Sequence, residues 1–118
     1  MQYILAHDMG TSADKATLFT TEGKMIKTIG MSYPTEYSHG NWAEQNADDW
    51  WNAFCTTTKQ LLEGIDPKDV VCVAFDGTYP DCICVDENLK PLRKAIIWQD
   101  ARGYEQAREI SAKLPEVY

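Results

Sequence analysis

Two short apolar runs constrain this chain most. Ile4-Leu5-Ala6-His7-Asp8 and Val70-Val71-Cys72-Val73-Ala74-Phe75-Asp76 each end in an aspartate, with Gly10 and Gly77 close behind. Apolar runs of this length bounded by turn residues read as strands. Residues 2–8 are expected to form one strand and 70–76 another. The second is apolar on both faces, which predicts a central strand covered on both sides. Ligands tend to sit at the C-terminal ends of strands in α/β sheets, where these two aspartates lie.

The intervening pattern fills in a mixed α/β fold. Residues 14–20 read as a strand with Ala16, Leu18 and Thr20 on one face, "TEG" at 21–23 as a turn, and 24–32 as a third strand. Short connections make these first strands an antiparallel meander. Residues 33–47, with Pro34, Gly40 and Asn41, read as loop. A helix follows, with Asn46 as N-cap and Asp49 in the capping-box position. Ala47, Trp50, Phe54, Leu61 and Leu62 fall near its inner face, and Gly64 stops it. Residues 82–86 read as a strand with 91–97 pairing back, and 100–114 as a helix with Ala101, Tyr104, Ala107, Arg108 and Ile110 inward. That helical pattern runs into Leu114-Pro115 and ends.

Composition narrows the function classes. A chain of 118 residues makes one small domain, and 44% hydrophobic content favours a packed core over disorder. The net charge is −7 and no Lys/Arg cluster is present, which argues against a nucleic-acid or anionic-membrane surface. An acidic chain that binds phosphate needs local backbone donors, a lysine or a metal ion. No apolar run approaches the ~18–20 residues of a membrane helix, and the N-terminus lacks a basic signal region, so a cytoplasmic protein is expected. Cys55, Cys72, Cys82 and Cys84 form no C-x-x-C pair and have no neighbouring histidine. Buried reduced thiols are expected rather than a zinc site. His7 and His39 are isolated and carry no assigned role.

The turn "DMGTSADK" at 8–15 has a specific chemical reading. Backbone N–H groups in a tight turn can face a phosphate, glycine permits close approach, and Thr11 and Ser12 add hydroxyls. A carboxylate beside phosphates makes sense when Mg²⁺ or its water shell lies between. Lys15 adds a positive charge. Asp, Gly, Thr and Ser are equally common in ordinary hairpins. The stretch is not a P-loop, because the G-x-x-x-x-G-K-[ST] order is missing.

Four segments in register carry a family resemblance. Residues 4–15 resemble the first phosphate motif of the sugar-kinase, actin and Hsp70 (ribonuclease H-like) superfold, in the D-x-G-T-S-x-x-[KR] form of the FGGY carbohydrate kinases. "WAEQNADDWW" at 42–51 is similar to the W-x-E-Q-x-x-x-x-W-W segment of xylulokinase-like members. "VAFDG" at 73–77 falls where their next core strand ends, and "LRKAIIWQDAR" at 92–102 resembles L-R-P-A-I-x-W-x-D-x-R.

The resemblance implies part of the first domain of an ATP- and Mg²⁺-dependent kinase acting on a xylulose-like ketose or a polyol. It implies that Asp8 acts on the Mg²⁺ shell, that Gly10, Thr11 and Ser12 line the phosphates, and that Lys15 is the motif's basic residue. Thr78, Tyr79 and Pro80 stand where xylulokinases have Gln, Met and His, so xylulose itself becomes doubtful as substrate. Trp42, Glu44 and Gln45 either shape the sugar side or pack under a loop. Trp50 and Trp51 are expected in the core. Asp100 and Arg102 either contact the sugar or form an ion pair that orders its wall. The second phosphate motif, the adenosine motif and the general-base aspartate of such enzymes lie beyond residue 118. The chain is therefore expected to be an N-terminal fragment ending near "LPEVY", able to fold but not to catalyse. Two alternatives remain: a binding or assembly module built on the same half-fold, with an exposed edge that pairs two copies, and a glycerol kinase-type member.

Overall fold

The structure, a computed structural model, describes residues 1–114. The expected helix stop at Pro115 and the "PEVY" end lie outside the described residues. Strands β1 (Tyr3–Met9), β2 (Ala13–Thr20), β3 (Met25–Ser32) and β6 (Val70–Gly77) form one sheet in the order β3-β2-β1-β6. β1 and β2, and β2 and β3, pair antiparallel as the short turns predict, with Gly23 at φ 84 closing the second turn. β6 pairs parallel with β1, so the chain must cross over between them. The crossover carries β4 (Glu36–Ser38), β5 (Trp42–Gln45) and helix α1 (Ala47–Leu61).

Helix α1 covers one face of the sheet. Leu5, Ala16 and Leu18 from β1 and β2 meet Leu61, and all four are buried. The alternation seen in β2 is realised, since Ala16, Leu18 and Thr20 are all buried. Asn46 caps α1 by accepting a hydrogen bond from Asp48 N at 3.1 Å, so the cap uses Asp48 rather than a box with Asp49. The buried stripe is Ala53, Thr57 and Leu61, spaced by four residues. It sits one residue away from the Trp50–Phe54 line expected from hydrophobicity alone. Trp50 is half-buried, while Trp51 is 64% exposed and stacks on Phe54 instead of entering the core. Gly64, at φ 77, lets the chain leave the helix.

β6 corrects the expectation of a doubly covered strand. It lies at the margin of the sheet, and Val71, Val73 and Phe75 are 50%, 44% and 62% exposed. Among the described residues α1 lies over β2 and β3 and reaches β6 through the Phe54–Phe75 contact. Its apolar composition thus asks for cover that these residues do not supply.

The segment expected as loop holds a hairpin instead. β4 and β5 pair antiparallel, and β7 (Ala95–Ile96) joins them in a second sheet, order β4-β5-β7. His39 and Gly40, both at positive φ, make the turn, so the loop-forming residues mark a tight reversal between very short strands. Residues 82–86 do not form a strand. Cys82 bridges Ile96 and Val85 bridges Pro91, but Pro91 has no N–H with which to extend a ladder. Residues 91–97 do turn back on 82–86, through Leu92 N to Cys84 O and the Cys82–Ile96 pair, but the ladder partner of β7 is β5.

Helix α2 (Tyr104–Lys113) starts later than residue 100, with Gly103 at its N-cap and no side-chain cap. None of its residues is buried, so Tyr104, Ala107, Arg108 and Ile110 do not face inward among the described residues, and Ala101, before the helix, is exposed as well. Cys72, Cys82 and Cys84 are free and exposed and Cys55 is half-buried. The thiols are unpaired as expected but not buried, because three lie on the uncovered strand and on the 82–84 segment.

Candidate active site

The two aspartates meet. Asp8 is the register partner of Lys15 on β2 and of Asp76 on β6. Side chains along a strand alternate faces, so Asp8, Lys15 and Asp76 share the face away from α1. There they line an open groove of about 320 Å³ with Thr17 and Ala74. The turn that follows β1 is closed by Gly10 N donating to Ala13 O at 3.0 Å. A Cβ on Gly10 would stand 3.5 Å from Ala13 O and 4.0 Å from Asp8 Oδ1, ordinary contact distances, so the fold itself does not demand glycine at this position.

Four groups fix this turn from outside. Gln45 Nε2 donates to Thr11 O at 2.6 Å and to Thr35 Oγ1 at 2.7 Å, while its Oε1 accepts from Trp50 Nε1 at 2.8 Å. Trp98 Nε1 donates to Thr11 Oγ1 at 2.9 Å. The Tyr33 hydroxyl donates to Gly10 O, and Tyr33 N donates to Ser12 O at 3.1 Å. Burial first, then the nearby carboxylates of Asp14, Asp8 and Asp81, push the Tyr33 phenol up to about 12. It therefore stays a neutral donor through the physiological range.

A second cavity of about 310 Å³ adjoins the strand ends at Met9 and Gly77, walled by Tyr33, Trp50, Thr78, Tyr79 and Asp81. The backbone of Thr78 is tied to β1, its N–H donating to Met9 O at 3.2 Å. Asp81 organises the turn, because the Thr78 hydroxyl donates to Oδ2 and Trp98 N donates to Oδ1 at 2.8 Å. Tyr79, 88% exposed, precedes Pro80 through a cis peptide bond.

Asp100 and Arg102 form an ion-pair knot apart from that cavity. Arg102 Nε and Nη2 donate to Asp100 at 2.8 and 2.7 Å, and Nη2 lies 3.1 Å from Glu44 Oε1. Arg93 also donates to Glu44. The Arg102 guanidinium lies 3.7 Å from the Trp42 ring centroid, and Ala43 N donates to Asp100 Oδ2 at 2.7 Å. Trp42 thus packs under Arg102, and of the two readings for Asp100 and Arg102 the ion pair is what the structure displays. The hydrogen bond from Arg102 holds the Asp100 carboxyl well below the usual carboxylate range against the upward push of burial. Burial also pushes Glu44 up, but hydrogen bonds from Arg93 and Arg102 outweigh it and hold Glu44 low.

Asp8, Gly10, Thr11, Ser12 and Lys15 therefore gather on one strand-turn-strand unit, next to the cavity that takes Thr78 and Tyr79. Tyr33, Asp81 and Trp98 add to the site roles that the sequence does not announce. Asp81 lies in the strand-end turn at 76–81 and Trp98 in the 92–102 segment, whereas Tyr33 stands outside both and reaches Gly10 O from the end of β3. Among the described residues no group of three or more His, Cys, Asp or Glu side chains could hold a metal ion by itself.

Residues 3–117 match the FGGY family of carbohydrate kinases, N-terminal domain, and the chain belongs to this family. It is similar to a glycerol kinase of Trichodesmium erythraeum, 31% identical over 115 residues, and to a gluconokinase of Bacillus subtilis, 32% identical over 118 residues. Those matches cover 95% and 98% of this chain but 23% of each relative, so the chain spans about a quarter of their length. Among solved structures, the fold is that of a ligand-bound xylulose kinase from Lactobacillus acidophilus, with a TM-score of 0.89 at 21% identity, over 97% of this chain and 23% of that one. A Plasmodium falciparum glycerol kinase solved with ADP has a TM-score of 0.81 at 22% identity, over 96% of this chain and 23% of that one.

Proposed function

We propose that this chain is the N-terminal part of a cytoplasmic, ATP-dependent carbohydrate kinase that transfers the γ-phosphoryl group to a hydroxyl of a xylulose-like ketose or a polyol. The observation that carries the reading is the placement of Asp8 between Lys15 and Asp76, beside an open glycine turn and next to the Thr78–Tyr79 cavity. The donor set suits Mg²⁺, which prefers hard oxygen ligands from one or two carboxylates and keeps several waters. Asp8 would hold the ion through its water shell, where the ion offsets phosphate charge.

The remaining work falls to the chain itself. Gly10, Thr11 and Ser12 present the turn to the phosphates, and Lys15 supplies a positive charge. Gln45, Tyr33 and Trp98 hold that turn so that it need not reorganise when charge builds up. Thr78, Tyr79 and Pro80 face the sugar, while the Asp100–Arg102 pair, apart from that cavity, holds Trp42 and Glu44. The chain spans about a quarter of its relatives' length, and the proton transfer from the sugar hydroxyl and the binding of adenosine are assigned to none of its residues. A glycerol kinase-type acceptor is the second reading, supported by the 31% identity to such an enzyme. Screening the whole protein against pentuloses, hexuloses, glycerol, other polyols and sugar acids tests both. Phosphorylation of a ketose or polyol is expected, and ATP-dependent activity on none of them contradicts the proposal.

A further inference from the structure

Behind Asp8 and Lys15 lies a polar cluster that the proposed chemistry does not use. On the α1 face of the sheet, His7 Nδ1 stands 3.0 Å from Asp14 Oδ2 and 3.2 Å from Oδ1. Thr57 Oγ1 of α1 donates to the same Oδ2 at 2.6 Å, and Thr58 Oγ1 is 3.3 Å from His7 Nε2. The His7 and Asp14 side chains are fully buried, and the imidazole is wedged between the Phe54 and Phe75 rings at 4.5 and 5.7 Å. A carboxylate only accepts, so His7 Nδ1 carries the proton that faces Asp14.

Stability alone does not account for this arrangement. Taking an acid and an imidazole out of water is costly, and well-packed apolar residues of similar size hold a core at least as well. Sequence position offers a reason. His7 immediately precedes Asp8, and Asp14 immediately precedes Lys15. Because neighbouring side chains point to opposite faces, a contact locked between His7 and Asp14 on the buried face sets the relation of Asp8 to Lys15 on the open face. Asp14 also borders the turn, whose closing acceptor is Ala13 O. The hydroxyls of Thr57 and Thr58 tie the whole unit to α1.

We propose that His7 and Asp14 are a positioning pair for the phosphate turn, bolting β1 and β2 together and to α1 so that Asp8, Lys15 and residues 10–12 are held ready for a magnesium-bound phosphate chain. The nucleotide part of this inference rests on the kinase reading, whereas the mechanical part does not.

The test compares three variants by thermal unfolding, by amide hydrogen exchange at Gly10–Ser12 in the full chain, and by the KM for Mg·ATP of the whole protein. The double variant His7→Leu/Asp14→Val replaces the pair by apolar groups, a change that buried ion pairs commonly tolerate in stability. His7→Asn keeps an N–H donor toward Asp14, and Thr57→Val removes one hydroxyl at constant shape. The double variant should unfold no earlier than the parent, yet exchange roughly tenfold faster at Gly10–Ser12 and show a KM for Mg·ATP raised about tenfold, the low end of what supporting partners cost elsewhere. His7→Asn should restore both quantities to near the parent values. A folded double variant with unchanged exchange and KM overturns the proposal, since the pair would then be structural only. Should the double variant fail to fold, Thr57→Val and His7→Asn decide: faster turn exchange in the first but not the second supports the pair, and equal exchange in both overturns it. If the whole protein phosphorylates no acceptor, the kinase reading falls, while the exchange comparison still judges the positioning role.

Discussion

Trp98 Nε1 donates to Thr11 Oγ1 at 2.9 Å, joining the turn after β1 to the segment after β7. The same residue donates its backbone N–H to Asp81 Oδ1 at 2.8 Å, and the Thr78 hydroxyl donates to the other oxygen of Asp81. A run of hydrogen bonds thus links the proposed phosphate turn to the proposed sugar turn. Trp98→Phe removes the indole donor and keeps an aromatic ring. It should cost about 0.5–1.5 kcal/mol of stability and raise KM for both substrates, because the link between the two turns is cut even though the Trp98 backbone N–H still holds Asp81. Thermal unfolding and steady-state kinetics measure the two effects, and a change confined to one substrate contradicts the shared brace.

The Asp100–Arg102–Glu44 knot should loosen in acid. Both carboxyls are held low, Asp100 first by Arg102 and Glu44 by Arg93 and Arg102 against its burial. A depressed folded pKa means the contribution is complete above the unfolded carboxylate values of ~4 and fades as pH falls through the lower folded values. The fluorescence of Trp42, stacked under Arg102, should report a transition below about pH 4. A transition well above about pH 4 would contradict the assignment to these two carboxyls.

Tyr33 provides a test at the alkaline end. Burial raises its phenol first, and the carboxylates of Asp14, Asp8 and Asp81 add to this, to about 12. Because the folded value is raised, the stabilisation is present below the unfolded value of ~10 and is lost as pH rises through the folded one. Ultraviolet titration of the native chain against Tyr33→Phe should assign the late-ionising phenol to Tyr33. An ordinary tyrosine titration for that residue would contradict a phenol buried beside those carboxylates.

The helix cap gives a direct stability prediction. Asn46 accepts from Asp48 N at 3.1 Å, so Asn46→Ala should destabilise the chain by about 0.5–2 kcal/mol, read from denaturant unfolding. Asp49→Ala should cost less, because the observed cap does not use its side chain.

Local pattern made much of this fold readable. The alternation at Ala16, Leu18 and Thr20 and the glycines at 23 and 64 act within a few residues of themselves, and the structure places them as the pattern implies. The D-x-G-T-S turn was legible for the same reason. Cover and partnership were not. Phe75 and Val73 are as apolar as any central strand, but nothing local says what lies above them. His7 is solitary in the sequence because its partner Asp14 comes from the next strand, and Thr58, which faces its other nitrogen, comes from α1. The hairpin at 36–45 hid behind turn residues that serve equally well in loops. Glu44 has its side-chain partners, Arg93 and Arg102, in a distant segment, and Gln45 reaches Thr11 in the turn after β1.

The most direct test of the account is Asp8→Ala in the whole protein, assayed for Mg·ATP-dependent phosphorylation and, separately, for binding of the preferred acceptor. The expected result is a fall in kcat of about 10²–10³, as for loss of a group that stabilises transition-state charge, with acceptor affinity unchanged. Full activity in Asp8→Ala, or loss of acceptor binding with phosphoryl transfer intact, would contradict it.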